Sequence, residues 1–291
     1  MTYLSIDAII LTFNEEENIE QCLKSIVGLV KNIYIVDSES TDGTVNIANK
    51  YNCHVVSNKF VNQAIQLNWA LDNLPIQSEW VLRLDADEYL LPELKDEIAS
   101  VIPSLSSEVT GLYLKRRLIF LGRWIRHGGH YPTWLLRMFR YGKARSELVD
   151  INEHIVLLEG RGDSLKNDFV DCNHKNLEYW LLKHEKHAKR KAVFFRKLET
   201  RYDPTWIPPR LFGVQAERKR WLMQNIFLRC PLFFRAFLFF FYRYFLRLGF
   251  LDGVQGLIYH FLHGCWYPFY TDAKLYEYLQ KNVGAEQDIK P

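Results

Sequence analysis

Three clusters of polar residues in the first third of the chain have the types and spacing for chemistry. TFNEE (Thr12–Glu16), DSESTDGT (Asp37–Thr44) and DADE (Asp85–Glu88) each follow a short apolar run. A DxD triplet alone carries little weight, because with charged residues at 24% of positions about one is expected by chance in a chain this long. Position gives Asp85 and Asp87 their meaning: they close an apolar run, as Asp37 closes another. Carboxylates gathered in this way repel one another unless a hard cation neutralises them. Mg2+ or Mn2+ takes one or two carboxylates together with substrate phosphates. Helix capping and turn solvation account well for Glu16, Glu17 and Asp42 but poorly for Asp85 and Asp87 together.

Downstream the charge reverses. From Gly111 to Ser146 there are nine Lys or Arg and no acid, interleaved with Trp124, Tyr131, Trp134 and Phe139. Arg116, Arg117, Arg126, Arg137 and Lys143 are candidates for phosphates or lipid head groups, and Trp134 offers a flat apolar face. ELVDINEHI (Glu147–Ile155) then concentrates three carboxylates and a histidine.

These clusters need elements to position them. Ile6–Thr12, Asn32–Asp37, His54–Ser57 and Trp80–Leu84 are too short and apolar for helices and are expected to be buried strands. Between them, periodic segments beginning near Asn14, at Thr44 and at Gln63 are expected to be helices, with Asn14 at the cap of the first and its glutamates in the first turn. The alternation implies an α/β fold with a mainly parallel sheet and helices on both faces. In such a sheet ligands bind at the carboxyl ends of the strands, where all three clusters fall. The HGGH segment (His127–His130) is expected to be a loop, Lys175–Glu199 a charged helix, and DPTWIPP (Asp203–Pro209) a break before a Phe-, Leu- and Tyr-rich region.

The 291 residues carry a formal charge of only +3, yet residues 1–110 hold net −11 and residues 181–250 net +12. Hydrophobic residues make up 48%, which excludes disorder and collagen-like repeats. Five cysteines, none forming a CxxC pair, suit reduced thiols in the cytosol. The first residues lack a basic segment and reach acids early, so a secretory signal is not expected. In the aromatic region the longest uncharged stretch within Leu232–Phe250 is Ala236–Tyr242, far below the roughly 20 residues of a span. On a helical wheel Arg235, Arg243 and Arg247 fall within about 120° of one another, a basic face opposite aromatic ones. That pattern suits a helix lying in the interface of an anionic membrane; the alternative is a buried helix whose arginines pair with acids.

AIILTFNEEENI, IVDSESTDGT and WVLRLDADE, in that order, resemble an inverting family 2 glycosyltransferase of the GT-A fold, over roughly residues 5–100. PTWLLRMFR, the NEH element and the region His174–Lys191 resemble the subgroup that builds bacterial lipopolysaccharide, particularly inner-core β-glucosyltransferases. The resemblance implies a GT-A catalytic domain over 1–200, with a nucleotide-sugar half (1–110) and an acceptor half (111–200), followed by a helical membrane-associating region over 201–291. It implies donor contacts from Thr12, Asn14, Glu15, Asp37, Arg83 and Asp85. Divalent metal ligation (Mg2+ or Mn2+) would fall to Asp87 with Asp85, and to His174 in DCNHK. Arg83 equally suits a structural pairing, and His174 an ordinary hydrogen bond.

Inverting transfer needs one base to take the proton of the acceptor hydroxyl, set apart from the metal carboxylates. Glu153 in NEH is the choice, Asp150 the reserve and Glu147 a third carboxylate. His154 is expected to position the base or the acceptor, alongside Trp134, Arg137 and Arg116. The implied partners are a UDP-sugar, UDP-glucose favoured, a lipid-linked saccharide and the anionic cytoplasmic face of the inner membrane, where the protein would be peripheral. Two other classes stand against this. A nucleotidyltransferase acting on a sugar phosphate would want a Gly-rich phosphate loop after the first strand, where TFNEEEN is acidic. A non-catalytic membrane or nucleic-acid adaptor suits the basic tracts, but the acidic amino half repels a phosphate backbone, so no nucleic-acid partner is expected.

Overall fold

The computed structural model describes residues 4–149, 153–198 and 206–287. The chain divides into two compact units. One comprises residues up to Trp124, Tyr131–Val149 and Glu153–His174; the other comprises Ile125–His130 and the residues from Lys175 onward.

The first unit opens with β1 (Ile6–Thr12), α1 (Ile19–Ile26), β2 (Asn32–Asp37), α2 (Thr44–Lys50), β3 (His54–Ser57), α3 (Gln63–Asn73) and β4 (Trp80–Asp85). It continues with β5 (Glu88–Leu90), α4 (Pro92–Val101), β6 (Val109–Phe120), β7 (Arg123–Trp124), β8 (Thr133–Arg140), β9 (Ala144–Ser146), β10 (Ile155–Leu157) and β11 (Arg161–Cys172). The main sheet runs β3-β2-β1-β4-β8-β6-β11-β5, with β7 added to β6. β1 to β4 are mutually parallel, β8 runs antiparallel to both neighbours, β6 and β11 are parallel, and β5 closes antiparallel on β11.

The apolar runs explain why the first strands are central. Ile6, Ala8 and Ile10 pack on one face with Ile19, Leu23 and Ile26 of α1 and with Leu94 and Ile98 of α4. Ile9, Tyr34 and Val36 pack on the other face with Leu67, Ala70 and Leu71 of α3. A strand covered on both faces cannot alternate polar and apolar residues, and these do not.

One local expectation is corrected. Asn14 does not cap a helix: its φ of 54° is left-handed, and α1 starts only at Ile19. The glutamates that follow it lie in the loop, and Glu20 is the acid of the first turn.

The second unit contains α5 (Leu177–Leu198), α6 (Gln215–Asn225), α7 (Phe234–Phe241), α8 (Gly253–Phe261) and α9 (Tyr267–Gln287), with short π-helical turns extending α7 and α8. The basic face expected from Arg235, Arg243 and Arg247 is also corrected. Arg235 is 2% exposed and its guanidinium donates to both oxygens of buried Asp272. Arg243 is buried too, donating to the Gly128 carbonyl at 2.9 Å and lying against the His130 and His263 rings. Arg247 is the exposed one of the three. A charged side chain in a helical core is tolerated when an acid or carbonyl meets it, and a wheel drawn from one helix cannot show Asp272, 37 residues away. Among the described residues no helix is long and apolar enough to cross a membrane.

Candidate active site

The parallel register sets the site. Thr12 lies beside Asp37, and Leu11 beside Asp85, so the ends of β1, β2 and β4 bring the three polar clusters to one sheet edge. Thr12 Oγ1 donates to Asp37 Oδ1 at 2.8 Å, and Asp37 also accepts from the Ser40 amide (2.7 Å) and hydroxyl (2.6 Å). Asp37 is thereby fixed as the buried floor of the loop after β2.

The loops after β1 and β2 are stapled side by side. The Asn14 amide donates to Ser40 Oγ, and the Thr41 amide to Asn14 Oδ1, both at 2.8 Å. The Glu15 amide donates to Thr44 Oγ1, the Glu16 amide to Asp42, and the Gly43 amide to Glu16. The left-handed turn at Asn14 permits this exchange, because a short amide side chain can reach the neighbouring backbone. The Glu15 carboxylate accepts from Asn18 at 2.6 Å.

At the end of β4, Asp85 is held by Arg83 through two bonds, 2.8 and 2.6 Å, and by Arg137 at 3.3 Å. Glu88 lies behind it, 2% exposed, accepting from the Asp85 amide and from Arg137. Burial pushes Glu88 up to about 7, with Arg137 the main opposing influence. Burial works to lower the pKa of Arg83, yet the charges of Asp85, Glu88 and, at the end of the series, Glu153 raise it. Asp87 accepts from Asn173 Nδ2 at 2.9 Å, and its carbonyl accepts from the Cys172 amide.

The other expected residues are distributed as follows. His174 donates its amide to Asn18, and its ring Nε2 meets Gln21 at 2.9 Å. His154 gives its amide to buried Glu147, so Glu147 serves to fold its own loop. Trp134 stands 5.7 Å from the Lys115 ammonium. Asp150 lies outside the described residues.

The basic tract needs a correction. Arg137 belongs to the DAD end, where Glu88 and Asp85 take its charge. Arg116 pairs with Asp171, while Lys115 and Arg117 pair with Asp168. Lys143 pairs with Glu159. The acid-free stretch is neutralised by carboxylates that β11 and other elements bring alongside it.

Glu88, Ser40 and Asn173 were missed as site residues. A signal existed for Glu88: a third carboxylate in DADE, opening a buried strand, needs a cation or a proton.

A divalent cation fits what is present. Among the described residues no three His, Cys, Asp or Glu side chains form a cage. Mg2+ or Mn2+ needs only one or two carboxylates when phosphates complete its shell. Asp87, and behind it Asp85 on its two arginines, would offer hard oxygens to it. Buried Nε atoms of Arg83 and Arg137 have no acceptor among the described residues, leaving donor capacity beside the carboxylates.

The sequence profile of Glycosyl transferase family 2 matches residues 7–153, half of the chain and the stretch holding Thr12, Asp37, Asp85, Asp87 and Glu153. The chain belongs to this family. It is 26% identical over 283 residues to the lipopolysaccharide core biosynthesis glycosyltransferase LpsC of Rhizobium meliloti, covering 94% of this chain and 93% of that one. It is 38% identical over 99 residues to the uncharacterized glycosyltransferase RC0292 of Rickettsia conorii, and spans only about a third (34%) of that relative's length. The fold is that of the Pyrobaculum calidifontis mannosyltransferase PcManGT, solved with GDP-Man and Mn2+, at a TM-score of 0.53 and 15% identity over 97% of this chain and 88% of that one. The GT-A architecture expected for a family 2 chain is the one observed.

Proposed function

We propose that the protein is a metal-dependent, inverting hexosyltransferase. It moves a sugar from a UDP-sugar, UDP-glucose favoured, to a lipid-linked saccharide in the synthesis of lipopolysaccharide or another bacterial surface polysaccharide, peripherally at the cytoplasmic face of the inner membrane. The observation that carries the reading is the alignment of Thr12–Asp37 and Asp85 on adjacent parallel strands, with Asp87 beside them, inside the family match. The likeness to LpsC along nearly the whole chain supports the surface-polysaccharide acceptor.

In this reading Asp37, locked by Thr12 and Ser40, receives the nucleoside, and the stapled loops around Asn14 and Glu15 line it. Asp87 is the carboxylate for the metal, because Asp85 is already engaged by Arg83 and Arg137. A divalent cation held by Asp87 would neutralise negative charge on the UDP leaving group. Glu153 takes the proton of the acceptor hydroxyl as that oxygen attacks the anomeric carbon from the side opposite UDP. Family membership opposes the nucleotidyltransferase alternative, and the ordered acidic edge opposes a non-catalytic adaptor.

The test is UDP release on mixing the protein with UDP-glucose, Mn2+ and a lipid-linked saccharide. Release is expected to vanish with a chelator and in Asp87→Ala. Metal-independent turnover, or an active Asp87→Ala, would overturn the mechanism.

A further inference from the structure

The second unit carries an apolar face that ordinary water-facing helices lack. Along α7 and the π-helical turn after it, Phe234, Phe237, Phe241 and Phe245 recur at spacings of three and four residues, with exposures of 56, 54, 52 and 47%. α8 repeats the pattern with Val254, Leu257 and Phe261, all exposed. The Phe240 and Phe261 rings lie 6.1 Å apart, and those of Tyr244 and Phe250 6.2 Å, so the two stripes join.

Three of the four charges of the same segment face inward. Between Phe234 and Phe261 stand Arg235, Arg243, Arg247 and Asp252. Arg235 is on Asp272, Arg243 on Gly128 and the histidines, and Asp252 accepts from the His127 amide and ring; all three are buried. His260 is fully buried as well, in space that Gly128 leaves open, since a Cβ there would collide with the ring. A helix at a water boundary turns charges out and aromatics in. This segment does the opposite over two helices, which suits an apolar medium.

We propose that this face seats in the boundary between head groups and acyl chains of an anionic bilayer, with the phenylalanines entering the lipid and the arginines holding the fold. The occupant is argued from charge. The segment before α7 packs onto it through Phe227, whose ring lies 5.7 Å from Phe239. That segment exposes Arg210, Arg218, Lys219 and Arg229, and Arg247 adds a fifth exposed cation. From Trp206 to Phe261 the acids are Glu217, largely covered beside Arg210, and buried Asp252. Anionic head groups neutralise such a set of exposed cations, whereas a second copy of the chain, pressed face to face, would bring like charges together. The inference deepens the membrane part of the proposed function and rests on it only for its biological setting.

Co-sedimentation of the full chain with vesicles, without nucleotide or acceptor, tests it. Binding is expected to phosphatidylcholine vesicles containing phosphatidylglycerol, and more weakly to phosphatidylcholine alone. The variant Phe237→Ser/Phe241→Ser/Phe245→Ser is expected to lower partitioning roughly tenfold or more. It should keep its circular dichroism and its UDP-glucose binding. Arg229→Glu/Arg247→Glu should remove only the preference for anionic lipid and its salt dependence. The proposal is overturned if the phenylalanine variant partitions like wild type, or if wild type sediments with neither vesicle. It is also overturned if wild type is a dimer that the variant converts to monomer with no change in lipid binding. Because no sugar transfer enters this assay, absent UDP release leaves its outcome standing, and absent sedimentation leaves the catalytic reading standing.

Discussion

Glu88 and Glu153 both add charge to the surroundings of Arg83, and they differ in how far they are buried. Glu88 is enclosed and answers to Arg137; Glu153 is only partly buried and adds its charge to the field around Arg83. A base that must meet an incoming hydroxyl belongs at the accessible position. Glu153→Gln is therefore expected to lower turnover by about 10²- to 10⁴-fold while leaving the donor Kd unchanged, measured by single-turnover UDP release and by titration calorimetry. A fully active Glu153→Gln would move the role to Asp150 or Glu147. Glu88 has the opposite character: removing its partner in Arg137→Met leaves a buried carboxylate without its cation. That change should cost about 3–5 kcal/mol in urea unfolding, an effect on folding as well as on the donor site.

At the scale of elements, the four parallel strands of the first 85 residues could be read directly, because each apolar run is buried by its own length and composition. β1, β2 and β3 begin and end, and α2 begins, where the pattern of residues says. What could not be read was which element lies against which. The partners of Arg116 and Arg117, Asp171 and Asp168, are more than fifty residues away and become neighbours only when β11 pairs with β6. The same limit applied to Asp272 and Arg235, so a helix with buried arginines passed for one with a basic face. The Asp37 and DAD edge was legible because parallel strands joined by helices place their carboxyl ends together whatever their order. The pairing of Arg235 with Asp272 yields a test at this scale. Arg235→Met alone should lose about 3–5 kcal/mol in chemical unfolding, and Arg235→Met/Asp272→Leu should recover much of it, because the double change leaves no uncompensated charge.

For the whole molecule, the second unit makes stability depend on pH. Burial pushes His184 down to about 4, His187 to about 3 and His260 to about 4. These histidines stay neutral in the folded chain while an unfolded chain protonates them below about 6.5. Their contribution to stability is therefore whole above that pH and falls as pH drops toward about 4, by up to about 1.4 kcal/mol per unit for each residue. Thermal unfolding followed from pH 7 to pH 4 should show this decline, and His184→Gln should make it shallower; a melting temperature flat over that range would refute the assignment. The formal +3 is equally misleading about the surface, since many of the basic groups meet acids from distant parts of the chain. That arrangement also restricts how the sequence can drift. Arg235 with Asp272, or Arg137 with Glu88, cannot be exchanged one residue at a time without passing through a chain that holds a lone buried charge. Such positions should change in pairs as lineages diverge, so the contacts that local sequence hides would reappear as correlated substitutions.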